Sequence, residues 1–255
     1  SEGVLTDWAN GNVLDGSPLQ ALPLDEFSNA ERLDLVRTCR QIVRDTEERL
    51  ALGDALLREG GDPRIQGWDR VPNVLWALRN LPYEAEFQNR LVGKGRQIDL
   101  LELPGVSPVE RGRKLPSMLA VLGSLLVPGP EYQLAIRVLF LLRTGWAPEE
   151  TGGLHRRDIE FDTDVVRVRA TKARAQRVRW HSLPSPQSDS WGWKAGDLLR
   201  RANHALRHAH AMSPDEPRFW VVGCQSTTSE RRANEYPHFV IRPNKFHLRL
   251  SQVIE

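Results

Sequence analysis

The chain has 255 residues, of which 40% are hydrophobic and 27% charged, so it can form one large or two ordinary globular domains. Lys and Arg number 35 against 33 Asp and Glu, so the net charge of +2 does not by itself indicate a polyanionic partner. The two cysteines, Cys39 and Cys224, lie far apart, which argues against a disulfide framework or a zinc site and favours a reducing cytoplasm. The chain starts without a signal-peptide pattern, and the apolar stretch Val138–Leu142 is too short to span a bilayer, so we predict no membrane attachment.

The first region is predicted to be helical after an extended arm. Residues 1–27 are rich in Gly, Asp, Pro and Leu without a clean period, and we interpret them as an N-terminal arm. Ser28 and Glu31 have the spacing of a capping box, and the apolar residues that follow predict an amphipathic helix of about 28 residues. Four arginines on the other face of this helix are either solvated or in contact with DNA: Arg37, Arg40, Arg44 and Arg49.

Two further helices, over 71–81 and 84–103, complete an all-helical first domain, residues 28–103. The segment LPGVSPVERGRKLP combines prolines, glycines and basic residues, a composition typical of exposed connections between domains. We therefore interpret residues 104–116 as a linker and residues 117–255 as a second domain.

The second domain begins with helices around a glycine turn. The helix Glu131–Arg143 is apolar nearly all round, so it is predicted to be buried. Gly145 suits the left-handed residue that ends this helix. Pro148 suits the first turn of the next helix, and Glu149 and Glu150 favour the positive end of its dipole.

From Asp158 onward the hydrophobic period changes from helical to two, which predicts three antiparallel strands. The last two strands form a hairpin whose turn follows Lys172. Apolar residues, among them Val178 and Trp180, are predicted to form one face and the arginines the other. Residues 165–181 hold six Arg or Lys and no acid, a local cation density that indicates a polyanionic partner.

The remaining chain predicts helices over 193–211 and 244–254. His204 and His208 lie four residues apart on the first of these helices, but no third ligand has a suitable spacing, so no metal site is predicted. Trp193, at the start of this helix, either closes a loop or stacks on a nucleotide.

The succession of a buried helix, a Thr-Gly turn, a short helix and a basic hairpin resembles the catalytic domain of the tyrosine recombinases, the phage-integrase family. The match rests on LLRTGWAPEETGGLHRRDIEFDTDVVRVRATKARAQRVRW. The resemblance implies a fold that is mainly α with a small antiparallel β-sheet, built from a helical core-binding domain and a mixed α/β catalytic domain. The positions that match the family pattern are Thr144, Gly145, Trp146, Ala147, Glu150, Gly153, Leu154, Asp158 and Ile159.

The resemblance also implies a mechanism. In the family two arginines hold the scissile phosphate, a lysine protonates the leaving 5′ oxygen, and a C-terminal tyrosine forms a 3′-phosphotyrosyl link. Lys172 takes the place of that lysine, although a solvated turn lysine is the alternative. Ala147 stands where the first arginine belongs, and neither Arg143 nor Arg156 matches the motif. The family's His-x-x-Arg box and its tyrosine have no match, so we expect a domain that is incomplete at its C-terminus and inactive as given.

The resemblance implies a site-specific recombinase or integrase of a mobile genetic element. Such a protein binds duplex DNA, self-associates on it as a dimer or tetramer, uses no cofactor and works at the nucleoid in the cytoplasm. Two alternatives remain open: a catalytically dead recombinase-like protein that binds DNA in an architectural or regulatory role, and a helical protein-interaction module that binds an acidic partner. The candidate phosphate contacts are basic residues of the hairpin and of the segment before it: Arg156, Arg157, Arg167, Arg169, Lys172, Arg174, Arg177 and Arg179.

Overall fold

A computed structural model describes residues 28–81, 121–172, 177–185, 192–225 and 239–243. Within these ranges the fold is mainly helical with a small three-stranded antiparallel sheet, which confirms the predicted fold class at this level. By its contacts the chain divides into two compact units, Ser1–Arg37 and Thr38–Glu255. The predicted domain boundaries stay predictions.

Several predicted features lie outside the described residues. They are the N-terminal arm, the helix over 84–103, the linker over 104–116, Arg174 in the hairpin turn and the helix over 244–254.

Helix α1 spans Asn29–Glu59 and begins with the predicted capping box. The Ser28 backbone N–H donates to Glu31 Oε2 at 2.7 Å, and the Glu31 N–H donates to Ser28 Oγ at 3.2 Å. One face of the helix is buried, and its residues there are Cys39, Val43, Thr46, Leu50 and Gly53. The predicted amphipathic helix is therefore confirmed, at 31 residues.

A short helix, α2 over Pro63–Gln66, leads into α3 over Val71–Asn80. Asn73 joins the two, because its buried side chain accepts a hydrogen bond from the Gly61 N–H at 3.1 Å and donates to the Gly67 carbonyl at 2.9 Å. The predicted apolar stripe of α3 is buried, as expected for a helix that packs in a core.

Helix α4 spans Pro130–Thr144 and ends as predicted. Gly145 adopts a left-handed conformation with φ of 66°, and its N–H donates to the Leu141 carbonyl at 2.8 Å. Helix α5 then runs over Pro148–Gly152, with its proline in the first turn. The last turn of α4 leaves the core, since Leu142 is 53% exposed.

The sheet contains β1 (Ile159–Phe161), β2 (Val165–Lys172) and β3 (Arg177–Pro184), in that order. Strand β2 pairs antiparallel with both β1 and β3, as predicted. The turn between β1 and β2 closes with a hydrogen bond from the Asp162 N–H to the Val165 carbonyl at 3.0 Å.

The predicted separation into an apolar and a cationic face is wrong for β3. In the observed register Arg169 pairs with Trp180 and Ala170 pairs with Arg179, so apolar residues of β3 lie on the face of the β2 arginines. Trp180, which we expected on the apolar face, is 51% exposed, and Val178 is 54% exposed. The alternation of side chains along one strand follows from the sequence. Which residues of two paired strands share a face depends on the register of the pairing.

Helix α6 spans Ala195–Met212 and packs against α4 and the sheet. It begins after Trp193, because the Lys194 N–H donates to Asp197 Oδ2 at 3.1 Å and so caps the helix. The chain continues through buried Phe219 and Trp220 into β4 (Val221–Gln225), which pairs with β5 (Phe239–Pro243). None of the helices in the described residues is long and apolar enough to cross a membrane.

Candidate nucleic-acid interface

The turn that carries Ala147 is held in place by local hydrogen bonds. The Trp146 N–H donates to Thr144 Oγ1 at 3.3 Å, and that hydroxyl donates to the Phe140 carbonyl at 2.9 Å. The Ala147 N–H donates to Glu150 Oε2 at 2.8 Å. Ala147 itself is half-buried at the residue before α5, and its methyl group offers no donor to a ligand.

Trp146 fixes this turn against the sheet. Its ring lies 4.6 Å from the His181 ring on β3 and 5.3 Å, edge-on, from the Phe140 ring on α4. His181 pairs with buried Val168, so the turn packs on the face of the sheet that faces the core. The motif that resembles the recombinases is thus brought together in space with the hairpin.

The same sheet face continues outward to basic positions. Arg179 lies two residues from His181 on β3, pairs with Ala170, and is exposed. Alternation along the strands places positions 172 and 177 next on this face, where they pair with each other. Arg179 makes no ion pair with any residue in the described part of the chain, so its charge is available to a ligand.

Two of the predicted contacts lie on the opposite face and are neutralised by acids. Arg169 forms an ion pair with Asp158 at 2.8 Å. Arg167 lies 3.7 Å from both Glu160 and Asp162. These arginines have half-exposed side chains, and a phosphate would have to compete with the carboxylates already beside them.

Arg156 and Arg157 lie on a 3₁₀ turn, Arg156–Asp158, that enters β1. The side chain of Arg156 donates through Nη1 to the Pro214 carbonyl at 3.2 Å. Both residues are exposed, and neither forms an ion pair with a described residue. Both arginines remain candidates for phosphate contacts. Within the described ranges, no contact between aromatic rings connects their turn with the sheet face that holds Arg179.

Arg137, in the middle of α4, is a buried cation that the sequence pattern did not single out. Its side chain is 3% exposed, and the guanidinium carbon lies 5.9 Å from the centre of the Trp220 ring. Burial lowers its pKa, and no described group accepts a hydrogen bond from its Nε. Trp220 in turn donates through Nε1 to the Thr151 carbonyl at 2.8 Å, which connects this part of the core with α5.

A network of charged side chains joins α6 to α1 and α3. His208 Nδ1 accepts from Arg79 Nε at 3.3 Å, so the imidazole is neutral and its Nε2–H donates to Asp54 Oδ1 at 2.7 Å. Burial alone would raise the pKa of Asp54, but hydrogen bonds from His208 and Arg207 outweigh it and lower that pKa. Burial lowers the pKa of His208 as well.

A second link in this network involves Glu47. It accepts from Arg201 and lies 3.4 Å from the Tyr132 hydroxyl, while burial raises the pKa of its carboxyl group. Sequence reasoning considered His204 and His208 only as metal ligands. In the described ranges no three His, Cys, Asp or Glu side chains are grouped so that they could hold a metal ion.

Comparison of the chain with protein-family models, with curated proteins and with solved structures finds no match. The relation to the tyrosine recombinases therefore stays a prediction from the sequence motif.

Proposed function

We propose that this chain is a recombinase-type protein that binds duplex DNA along the face of the hairpin next to the Ala147 turn. The activity implied by the resemblance is breakage and rejoining of DNA strands through a 3′-phosphotyrosyl intermediate, by a dimer or tetramer assembled on the DNA at the nucleoid. In the form given, the chain binds DNA without cutting it.

One observation carries this proposal: the Trp146–His181 contact puts the Ala147 turn on the sheet face that also holds Arg179 and positions 172 and 177. A free cation such as Arg179 favours binding to a DNA backbone, because each neutralised phosphate releases condensed counterions. The arginines of the opposite face are already paired with acids, so they contribute less.

Ala147 contributes to the proposed loss of cutting, together with the unmatched His-x-x-Arg box and tyrosine of the family pattern. A transferring phosphoryl group gains negative charge on its nonbridging oxygens, and a fixed guanidinium stabilises that charge in a way that a methyl group cannot. The same residue favours the second candidate, a protein that is naturally dead as an enzyme and binds DNA in an architectural or regulatory role.

Binding of a short DNA duplex, measured by fluorescence anisotropy at moderate salt, tests the proposed face. We expect R179Q to weaken binding about tenfold, as loss of one charge-assisted contact does. R167Q is the matched control, because it removes the same charge from the opposite face and should change affinity much less. Equal effects of the two variants would refute the proposed face, and no binding by the wild type would favour the protein-interaction module.

Restoring the arginine separates the enzyme from the dead binder. The protein with A147R is incubated with a nicked suicide substrate, and covalent protein–DNA product is detected on a denaturing gel. The covalent link also needs a tyrosine hydroxyl as the nucleophile, so covalent product with A147R identifies a recombinase in which the restored positive charge on the phosphate and a tyrosine act together. A natural DNA binder gives no covalent product with A147R, although it still shifts the duplex.

A further inference from the structure

The four arginines that α1 was predicted to present have different surroundings. Arg37 is ion-paired with Asp34 at 2.9 Å. Arg49 donates through Nε to the Ser124 carbonyl at 3.1 Å. Arg40 and Arg44, one helical turn apart, both extend to the ring of Trp193, which lies just before α6. The two predicted alternatives, a solvated face and contact with DNA, stay predictions for this set.

Three guanidinium groups surround the Trp193 ring. The guanidinium carbon of Arg201 lies 4.4 Å from the ring centre, that of Arg40 lies 5.1 Å away, and that of Arg44 lies 5.6 Å away. An indole attracts a cation through its negative face, but this attraction does not neutralise the charge. We call these four residues the Trp193 cluster.

The Trp193 cluster has more positive than negative charge. Arg201 is the member with an acidic partner, Glu47, and it also donates to the Gly192 carbonyl at 3.0 Å. Neither Arg40 nor Arg44 forms an ion pair or a hydrogen bond with a residue in the described ranges. The Nε of Arg40 is buried and has no hydrogen-bond acceptor there. Within the part of the chain that the structure describes, two neighbouring cations are thus left without a counterion.

We infer that the Trp193 cluster is a binding site for a phosphate group, held between Arg40 and Arg44. Guanidinium groups bind tetrahedral oxyanions through paired N–H donors, and two of them one helical turn apart can share one phosphate. Arg44 is exposed, so a ligand can reach the site from solvent. This inference goes beyond the proposed function and does not depend on it, because no member of the cluster belongs to the hairpin.

Thermal unfolding in the presence of inorganic phosphate tests the site, with sodium chloride adjusted to hold ionic strength constant. A ligand that binds the folded state raises Tm with its concentration. We expect phosphate to raise the Tm of the wild type, and R44Q and R40Q to weaken the apparent affinity about tenfold. R37Q, on the same helix, removes the same charge outside the cluster and should respond as the wild type does.

The inference is overturned if phosphate leaves the wild-type Tm unchanged, or if it shifts wild type, R40Q and R44Q equally. Should R40Q fail to fold because its side chain is half-buried, R44Q carries the test, since its side chain is exposed.

DNA binding by the same variants identifies the source of the phosphate. If the site takes a phosphate of the DNA backbone, R44Q also weakens duplex binding. It then reduces the slope of log affinity against log salt by about one, the value for one lost phosphate contact. If it takes a free phosphate or a small phosphorylated molecule, R44Q loses the Tm response and keeps wild-type DNA affinity. Failure of the proposed function has a different signature, in which R179Q leaves DNA binding intact while the phosphate response of the cluster persists.

Discussion

His208 is the residue where local chemistry most directly affects stability. It lies between Asp54, to which it donates, and Arg79, from which it accepts, with Arg207 also bonded to Asp54. Protonation of Nδ1 would place a new N–H against the N–H of Arg79, so the folded protein favours the neutral imidazole. This agrees in direction with its lowered pKa, for which burial is the largest cause.

The free energy of unfolding is therefore expected to fall as the pH drops below about 6.5. In that range the unfolded chain takes up a proton at this histidine that the folded chain does not. His204 and the buried His210, whose pKa values are also lowered, act in the same direction. H208Q can still donate to Asp54 but cannot be protonated, so its dependence on pH should be less steep, by at most about 1.4 kcal/mol per pH unit. Urea unfolding from about pH 7.5 to about pH 5 measures this, and superimposable curves for wild type and H208Q would contradict it.

Residue by residue, the sequence predicted caps and turns better than buried charges. Ser28 and Gly145 act through hydrogen bonds to residues three or four positions away, and Pro148 acts through its own fixed backbone in the first helical turn. All three therefore lie within reach of a local pattern. Arg137 does not show in such a pattern, because a single basic residue in an apolar helix is equally compatible with an exposed position. Its burial against Trp220 depends on a segment more than eighty residues later in the chain.

Among the elements, the sheet shows where local periodicity stops being sufficient. Each strand alternates as predicted, but the apolar residues of β3 share a face with the arginines of β2. Trp180 therefore lies beside Arg169 on the outer face. The phase is fixed by the register across the hairpin turn, and a shift of one residue exchanges the faces of a strand. Sequence reasoning therefore found the strands and misassigned the faces of β3.

Two tryptophan substitutions test the corrected assignment of Trp180 to the outer face of the sheet. W180A is expected to lower the free energy of unfolding by less than about 1 kcal/mol, because the side chain is half exposed. W220A should lower it by about 3–5 kcal/mol, since Trp220 is 2% exposed and its indole is hydrogen-bonded. Chemical denaturation of both variants gives the comparison. If W180A lowered the free energy of unfolding as much as W220A does, Trp180 would be buried in the core and the corrected assignment would be wrong.

At the scale of the whole molecule, helices from distant parts of the sequence pack together around charged contacts. Glu47 and Asp54 on α1 bind Arg201 and Arg207 on α6, across more than 150 residues. Such pairs follow from the tertiary arrangement and leave no periodic trace in the sequence. The helical class and the order of elements could be predicted because they depend on patterning within single segments.

The candidate site was predicted in part for the same reason. The Thr-Gly turn and the hairpin are each local, and the structure brings them together through Trp146 and His181. Which basic side chains remain available to a ligand depends on acids elsewhere in the fold. Asp158 and Glu160 occupy two of the predicted contacts, whereas Arg179 makes no such pair in the described part of the chain.

Adding charge at position 147 tests the central claim that this turn and the adjoining sheet face lie against DNA. A147R places a guanidinium beside that face, whereas A211R makes the same change at an exposed position near the end of α6. Duplex affinity is measured over a series of salt concentrations for both variants. We expect A147R to bind about tenfold more tightly than the wild type and to steepen the slope of log affinity against log salt by about one, as one added phosphate contact does. A211R should change both quantities little. Equal gains at both positions, or no gain at 147, would contradict the account.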